Sequence, residues 1–539
     1  MLSKSEISKL ELKSNFTLKD IETLALLGNH YVQQGLTVKA LETFDQITRL
    51  DSTNIFAWMQ KGSIYQKLNY HIVAINNFLQ VLKIDKVPDD LLAVTNLSIG
   101  CCFDNVGITD RAIQHYLEAI KLNPNKEAYY ISLLLALHRN KGQGFKNFYN
   151  LAKVYNDNFL SKYKKLDQSQ FKERMDPEKK VLNLGFFSCD LYNHPVMTNF
   201  FAVLEKLSLK EEFNLFFYHT GKTSDQVTEQ IKQISKSFHF LHKKPLTEIT
   251  NKILEDKVDI LFDLSGYENR EYFGVLKAKA APVQVTHLGY WGTLGMEEVD
   301  FIIADETVVK KEEEVFFTEQ VYKISECYNS GQLSGMIEAI SEPPCTKNGY
   351  ITFGSMNKFH KVNSEVISVW AGILQKVANS KLLFGITNDA DENVIYNQFE
   401  NLGIERLRII IKPNPARDEF LAYYNEIDIA LNPFPFSGGT TSLESLYMGV
   451  PVINLDGDTW AGRLGTTIID AVRHSEFNCK DIAEYTQKAC ALANDVEKLK
   501  FYRETLKQDV DKSSLNIDTY SAKFVNAIND MWCISCERL

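Results

Sequence analysis

The sequence predicts an α-helical repeat region followed by two doubly wound α/β domains. Residues 21–125 repeat at the spacing of a helix pair, short apolar runs alternate with amphipathic stretches from residue 181 onward, and a glycine turn precedes a helix near residue 440. A chain of 539 residues is too long for one hydrophobic core. We therefore expect three or four domains of about 150 residues each.

Small and aromatic residues recur together in the first region. Gly28, Gly62 and Gly100 stand 34 and then 38 residues apart. The same spacing relates three aromatic residues, Phe44, Phe78 and Tyr116. This pattern is typical of tetratricopeptide helix pairs, which stack to share a core and present a concave surface to an extended partner. The alternative is a helical spacer without a partner.

Changes of pattern give the expected domain boundaries. A polar, Lys-rich connection separates the repeats from a series of short β-rich runs such as VLNLGFFS (181–188) and VDILFDLS (258–265), and a second series begins at YITFGSM (350–356). We divide the chain into repeats, a linker, two Rossmann-like α/β domains and a C-terminal helix, at residues 1–145, 146–180, 181–345, 346–510 and 511–539.

Charge and cysteine content exclude several classes of protein. The net charge of −10 argues against broad binding to nucleic acid or anionic membranes. Nine scattered cysteines form no disulfide framework, the N-terminus has no apolar leader, and no run is long and apolar enough to span a membrane. We expect a cytoplasmic protein.

A glycine turn in FSGGTTSLESLYMGVPVI (436–453) suggests a phosphate site. The turn Gly438-Gly439 follows an apolar run, and Thr440 or Thr441 can cap the helix that comes next. Unpaired N–H groups of the turn and of the first helical turn would point to one place, where the helix dipole favours negative charge. An ordinary βαβ crossover is the alternative. Two open α/β sheets bind ligands beyond the carboxyl ends of their strands, and this position favours a phosphate cradle.

The succession of motifs behind the repeats resembles a known family. LGFFSCDLYNHPVMTNF, FDLSGYENREYF, APVQVTHLGYWGTLG, FGSMNKFHKVNSEVISVWAGIL and NPFPFSGGTTSLESLYMGVPVI occur in this order. They resemble the protein O-GlcNAc transferase family and its SPINDLY-like branch. The resemblance implies the two-Rossmann GT-B architecture and an inverting, metal-free transfer of sugar to Ser or Thr side chains.

The resemblance also implies residues for the donor diphosphate and ribose. Lys361 would contact the diphosphate, where a metal-free enzyme needs a positioned cation as the leaving group gains charge. Thr440 and Thr441 would hold phosphate through hydroxyl and N–H groups. Glu444, one turn into the helix, would bind ribose in place of the family's aspartate; the alternative is an exposed glutamate on a helix face.

The nucleotide base would contact the segment PNPARDEF (413–420), including Ala416. Arg417 replaces a base-contacting lysine of relatives, and Phe420 stands where animal enzymes have a histidine, although a phenyl ring can still stack on a base. Gly439 also replaces a histidine of the animal enzymes. These departures leave the base and the sugar open.

Two further residues are candidates for proton transfer. His194, in YNHPVMTNF, falls on a histidine that borders the reacting centre in relatives, and an imidazole is suited to receive or relay a hydroxyl proton. Asp259, in VDILFDLSGY, replaces another active-site histidine. It would act as a base or simply face solvent at a strand start.

The leading hypothesis is therefore transfer of GlcNAc from UDP-GlcNAc to protein hydroxyls. It requires no cofactor beyond the donor and no metal, and the acceptor protein or peptide would lie along the repeats. The alternatives are an asparagine glucosyltransferase that uses UDP-glucose, a fucosyltransferase that uses GDP-fucose, and a non-catalytic repeat scaffold.

Overall fold

The computed structural model of the chain describes residues 7, 13, 15–330, 337–385, 392–413 and 416–538. These residues form two compact units. The first contains the described residues before His138 together with 358–364 and 392–401, and the second contains the described residues of 138–357, 365–385 and 402–539. Each unit has its own core.

The first unit begins with helices of 11 to 17 residues joined by short turns. They are α1 Ile21–Gln33, α2 Thr37–Leu50, α3 Ile55–Lys67, α4 His71–Val81, α5 Asp89–Asn105, α6 Thr109–Leu122 and α7 Glu127–Leu137.

The repeated glycines lie where paired helices touch. A Cβ placed on Gly28, Gly62 or Gly100 would come within 2.7 Å of the ring of the aromatic residue 16 positions later in the chain. Those rings, Phe44, Phe78 and Tyr116, are buried. The close approach explains the sequence period, and the predicted helical repeats are confirmed.

A seven-stranded parallel sheet begins the second unit. Its strands are β1 Leu182–Ser188, β2 Phe213–His219, β3 Ser237–Phe240, β4 Ile260–Asp263, β5 Val283–Thr286, β6 Phe301–Ala304 and β7 Gln320–Lys323. Their order is β3-β2-β1-β4-β5-β6-β7, which reverses direction between β1 and β4 as in a doubly wound fold. The sequence did not predict β3 and β7, whose side chains are only partly buried and lack a continuous apolar run.

A second parallel sheet repeats this topology. Its strands are β8 Ile351–Ser355, β9 Ser380–Gly385, β10 Ile409–Lys412, β11 Ile429–Leu431, β12 Val452–Leu455 and β13 Asn478–Cys479. The order β10-β9-β8-β11-β12-β13 reverses between β8 and β11. The fold class predicted from the sequence is confirmed.

Further helices follow along the chain. In chain order they are α8 Phe145–Tyr155, α9 Pro195–Ser208, α10 Gln226–Ile234, α11 Leu246–Glu255, α12 Phe273–Ala278, α13 Cys345–Asn348, α14 Ser364–Lys376, α15 Glu392–Glu400, α16 Arg417–Ala422, α17 Thr440–Tyr447, α18 Leu464–Ala471, α19 Ile482–Ala493, α20 Val496–Lys512 and α21 Ile517–Glu537. All belong to the second unit except α15, which belongs to the first, as does the first residue of α14.

The last helix, α21, returns to the first sheet. Tyr520 donates to the carbonyl oxygen of Tyr328 at 2.6 Å, and Trp532 Nε1 donates to that of Asp176 at 2.9 Å. Phe524 packs edge-on against Phe200 of α9 at 5.2 Å between ring centroids. The two α/β halves therefore share one apolar core.

The predicted linker, 146–180, is structured. It contains most of α8, a π-helical turn at Asn156–Leu160 and a 3₁₀ segment at Gln168–Arg174. Asn156 Nδ2 donates to the carbonyl oxygen of Leu294 at 2.9 Å, which ties this region to the first α/β half. Its Lys-rich composition concealed aromatic residues that are buried, such as Tyr155 and Phe171.

Bilayer-spanning helices are not found in the part of the chain that the structure describes. None of its helices is both long enough and apolar enough to cross a membrane.

Candidate active site

The candidate site lies where the strand order of the two sheets reverses. The loop with His194 follows β1, and Ser265 and Glu268 follow β4. In the second sheet, Asn357 follows β8, and the glycine turn follows β11. These are the switch points at which open α/β sheets bind ligands.

The glycine turn leads directly into α17, with Gly439 as its N-cap. A Cβ on Gly438 would come within 2.6 Å of Thr441 Oγ1 and of Asn432 Oδ1, so packing requires glycine there. At Gly439 the nearest described atom to such a Cβ is Leu464 Cδ1, at an ordinary 3.7 Å. Gly439, Thr440 and Thr441 are partly exposed, so the helix N-terminus is open to a ligand.

The two threonines at the helix start make different hydrogen bonds. Thr440 Oγ1 accepts from Asn199 Nδ2 of α9 at 2.9 Å. Thr441 Oγ1 instead donates to Asn357 Oδ1 at 3.0 Å. The first bond connects the two α/β halves directly at the cradle.

Glu444 is buried and is ion-paired rather than exposed on a helix face. Its side chain is 2% exposed, and it accepts from Arg417 Nη1 and, at 3.0 Å, from the hydroxyl of Tyr424. Burial raises the pKa of Glu444, while Arg417 and Tyr424 oppose that shift. The structure thus joins the predicted ribose and base residues in one pair.

The predicted base segment surrounds this pair. Ala416 is exposed and forms the N-cap of α16, and Arg417 is the first residue of that helix. The partly exposed Phe420 lies near the carboxyl end of β9, since a Cβ on Gly385 would be 3.5 Å from its ring. Asn414 and Pro415 lie outside the described residues. Among the described residues, Arg417 Nη2 has no hydrogen-bond partner although the atom is buried.

His194 is the N-cap of α9, and Pro195 occupies the first helical position. The Nδ1 atom of His194 accepts the N–H of Val196 at 3.4 Å and lies 3.9 Å from Asp190 Oδ1. The imidazole is 26% exposed. It is therefore held by its own helix and remains accessible.

Asp190 and Glu268 gather around His194. One ligand atom from each of the three side chains lies within 4.8 Å of the others. Ser265 Oγ donates to Asp190 Oδ2 at 2.9 Å, which fixes that carboxylate. Glu268 stands more than 70 residues after Asp190 and His194 in the sequence, so this group forms only through the fold.

The structure contradicts the role suggested for Asp259. This residue is buried at the amino end of β4, whereas the candidate site lies at the carboxyl ends of the strands. Its Oδ1 pairs with Lys179 at 2.7 Å and Arg174 at 3.0 Å, and its Oδ2 accepts the N–H of Asn183 at 2.8 Å. Asp259 is neither a base at the site nor a solvent-facing residue; it fastens the linker to the sheet.

Lys361 ends a short 3₁₀ turn, Phe359–Lys361. The segment Lys358–Ser364 belongs to the first unit and packs against α5. A Cβ on Gly107, which has a φ of +76°, would collide with the carbonyl oxygen of Val362. The role of Lys361 on a diphosphate stays a prediction.

Aromatic side chains pack beside the glycine turn. Trp291 lies edge-on to Phe436 at 4.7 Å between ring centroids, and His138 stacks on Phe148 at 4.2 Å. His138 also meets Trp291 edge-on at 5.9 Å, and burial lowers its pKa to about 3. The ring of His138 is therefore neutral at physiological pH and is part of the packing.

A cavity of about 490 Å³ opens at the carboxyl ends of β11 and β12. It adjoins the glycine turn through Pro435. Charged residues of both signs line it, including Lys141, Lys480 and Asp458, over a floor with Phe434 and Leu455.

Sequence reasoning missed Asn199, Asn357, Asp190 and Tyr424. The first three lie inside motifs quoted for the family resemblance, and each follows a strand or lies in the first turns of a helix at the ligand-binding edge. Polar side chains at such positions were a usable signal. Tyr424 lies outside those motifs and is found only through its contact with Glu444.

The chain has two parallel, doubly wound sheets, and the open N-terminus of α17 lies where the strand order of the second sheet reverses. This is the architecture of a GT-B-type protein. The glycosyl transferase family 41 model matches residues 150–349 and 345–524, and a tetratricopeptide repeat model matches residues 57–88. The chain belongs to glycosyl transferase family 41, which confirms the resemblance seen in the sequence.

Several curated relatives carry the name "Probable UDP-N-acetylglucosamine--peptide N-acetylglucosaminyltransferase SPINDLY". The protein from Eustoma exaltatum subsp. russellianum is 28% identical over 407 residues, which cover 74% of this chain and 43% of the relative. The Arabidopsis thaliana protein is 28% identical over 374 residues, 67% of this chain and 40% of the relative. The chain thus spans less than half the length of these relatives.

A solved structure shows the same fold along almost the whole chain. A mutant of the Thermobaculum terrenum O-GlcNAc transferase superposes with a TM-score of 0.77 at 23% identity, covering 98% of this chain and 100% of that protein. This likeness concerns the fold alone.

Proposed function

We propose that this chain moves a sugar from a nucleotide-sugar donor to Ser or Thr hydroxyl groups of proteins. The observation that carries the proposal is the 2.9 Å bond between Asn199 and Thr440. Through it the helix capped by His194 meets the N-terminus of α17, which is suited to a diphosphate, so the groups proposed for both halves of a glycosyl transfer lie on two helices in contact.

The proposed reaction is a single displacement with inversion. The acceptor hydroxyl oxygen attacks the anomeric carbon of the sugar, and the bond from that carbon to the diphosphate oxygen breaks. The hydroxyl proton passes to a base, and the nucleoside diphosphate leaves with the added negative charge. The N-terminus of α17 and the Thr440 hydroxyl stabilise that charge, and we assign the same role to Lys361.

The cap bond of His194 restricts its part in the reaction. Because Nδ1 accepts the Val196 N–H, the neutral ring carries its proton on Nε2. His194 then holds the acceptor oxygen by donating from Nε2. The carboxylates of Asp190 and Glu268, grouped with it, are the proposed proton acceptors.

UDP-GlcNAc is the proposed donor, and the names of the curated relatives support this choice. The base would lie against Phe420 and the Arg417–Glu444 pair. Arg417 Nη2 finds no partner among the described residues, which favours a base that presents a hydrogen-bond acceptor, and the guanine of GDP-fucose meets that requirement as well. GDP-fucose is therefore the second candidate.

A panel of donors tests the proposal. Purified protein is incubated with UDP-GlcNAc, UDP-glucose or GDP-fucose and a lysate protein mixture, and modified peptides are identified by mass spectrometry. We expect hexosamine on Ser or Thr that alkaline β-elimination removes. A β-elimination-resistant hexose on Asn would indicate an N-glucosyltransferase, deoxyhexose would indicate fucose transfer, and absence of transfer from every donor would indicate a scaffold.

The helical repeats are the proposed binding surface for the protein acceptor. We place the reaction in the cytoplasm, since the nine cysteines are free thiols, as a reducing compartment would keep them.

A further inference from the structure

Asn199 uses both amide N–H groups at the cradle. Its Nδ2 donates to the carbonyl oxygen of Pro195 at 2.6 Å and to Thr440 Oγ1 at 2.9 Å. A flipped amide would set its oxygen against the Pro195 carbonyl oxygen, which can only accept. The neighbouring groups therefore fix the orientation of this amide.

The other polar atoms of Asn199 are also engaged. Its Oδ1 accepts from Asn329 Nδ2 at 3.3 Å, and its carbonyl oxygen accepts from the hydroxyl of Ser330. Asn199 is only 5% exposed, and Asn329 and Ser330 are buried beside it. The residue is held on several sides and has little freedom to follow a moving partner.

Because of this geometry, Thr440 and Thr441 differ in the hydrogen bonds that they can still donate. A threonine hydroxyl has one proton and two acceptor lone pairs. Thr440 accepts from Asn199, so its own proton is left to donate elsewhere. Thr441 already gives its proton to Asn357 Oδ1 at 3.0 Å. Only Thr440 can donate to a phosphate oxygen without breaking a bond that the structure shows.

We propose that Asn199 is a positioning residue that turns the Thr440 hydroxyl proton toward the donor diphosphate. This inference rests on the proposed function. The bond joins the first α/β half to the second, so the Asn199 amide of the first half orients the Thr440 hydroxyl of the second. Its contribution grows as the leaving diphosphate gains charge, because hydrogen bonds to charged groups are the stronger ones.

A double-mutant cycle tests the coupling. Asn199→Ala, Thr440→Val and the double variant are titrated calorimetrically with UDP and with GDP. We expect each single variant to bind the preferred nucleotide about tenfold more weakly, the loss typical of one hydrogen bond to a charged group, and the double variant to lose no more. If the two residues acted independently, their losses of affinity would multiply to about a hundredfold in the double variant. That result would overturn the inference.

Thr198→Val is the matched control. It lies next to Asn199 on α9, and its hydroxyl bonds the carbonyl oxygen of His194 at 3.2 Å, away from Thr440. We expect its nucleotide affinity to stay within about twofold of wild type. Thr441→Val should weaken binding less than Thr440→Val does, because the proton of the Thr441 hydroxyl is already donated to Asn357 Oδ1. Equal losses for the two cradle threonines would contradict the proposed polarity.

Two further measurements separate failure of the inference from failure of the proposed function. If Asn199→Ala does not fold, the neutral and similarly sized Asn199→Leu, which also lacks an N–H donor, repeats the cycle with the same non-additivity expected. Wild-type protein that binds neither UDP nor GDP would overturn both proposals. Wild-type binding with a multiplicative cycle would overturn only the role of Asn199. With the active donor, kcat should fall more than KM rises in Asn199→Ala, whereas a purely structural role would change neither selectively.

Discussion

Removing Arg417 should leave a buried carboxylate without its cation. Glu444 is 2% exposed, and Arg417 supplies its charged partner. Breaking a fully buried pair from one side costs about 3–5 kcal/mol. Because the Arg417 side chain is 28% exposed, solvent screens part of the interaction, and we expect about 2–3 kcal/mol for Arg417→Ala. In a domain of this size that corresponds to a fall in melting temperature of about 5–10 °C.

The loss should depend on pH in a defined direction. Burial already raises the pKa of Glu444, and removing Arg417 raises it further. A carboxyl group whose folded-state pKa lies above the unfolded value of about 4.3 binds more protons when folded, so its penalty grows as pH rises through the folded-state pKa. The difference in melting temperature between wild type and Arg417→Ala should therefore be largest near pH 7.5 and shrink toward pH 5.

The assay is thermal unfolding without nucleotide, followed by circular dichroism across that pH range. The control is Lys412→Ala, which removes a 3.0 Å pair to Glu426 whose side chains are 28% and 48% exposed. We expect the control to lose less than about 1 kcal/mol and to show little pH trend. Adding Glu444→Gln to Arg417→Ala should recover part of the stability. A difference below about 1 °C at pH 7.5, or one that does not change with pH, would refute the reasoning.

Three further predictions concern the cation, the metal and the glycine turn. Lys361→Ala should lower turnover about 10²–10³-fold with an unchanged melting temperature, and retention of most activity would remove Lys361 from the mechanism. Transfer should persist in excess EDTA; loss of activity that magnesium or manganese restores in wild type, but not in Asp190→Asn, would instead assign a metal to the cluster around His194. Gly438→Ala should destabilise the protein by about 1–3 kcal/mol through overpacking, whereas Gly439→Ala stays within about 0.5 kcal/mol; equal melting temperatures would contradict the packing argument.

Most of the fold could be predicted because its signals are local. Repeated glycines mark where helices touch, and runs such as those at β1 and β2 are apolar on nearly every residue. The strand β13 has two residues, and β3 has three partly buried residues and the exposed Phe240, so neither produces an apolar run that is buried. The sequence did not indicate the helical segments of the linker, because its lysines are prominent in the sequence while aromatic residues such as Tyr155 and Phe171 are buried in the fold.

The candidate site was only partly predictable, since its polarity depends on long-range pairs. The positions of Thr440 and His194 followed from the resemblance, but nothing in the sequence says that Asn199 contacts Thr440. Asp259 shows the opposite error: alignment with a family histidine suggested chemistry, and the strand direction places the residue at the wrong edge. Strand direction and partner identity are the information that the sequence alone lacks.

The contact between Gly107 and the chain at Val362 limits where this protein can be divided into modules. A helix-pair array is commonly treated as an exchangeable adaptor, yet here the stretch bearing Lys361 is grouped with the array rather than with the sheet from which it emerges. The boundary for chain engineering is therefore not a single cut between repeats and α/β domains. A chimaera that imports a foreign array would need to keep the turn inside the third helix pair, between α5 and α6, matched to residues 358–364, because Gly107 in that turn lies against Val362.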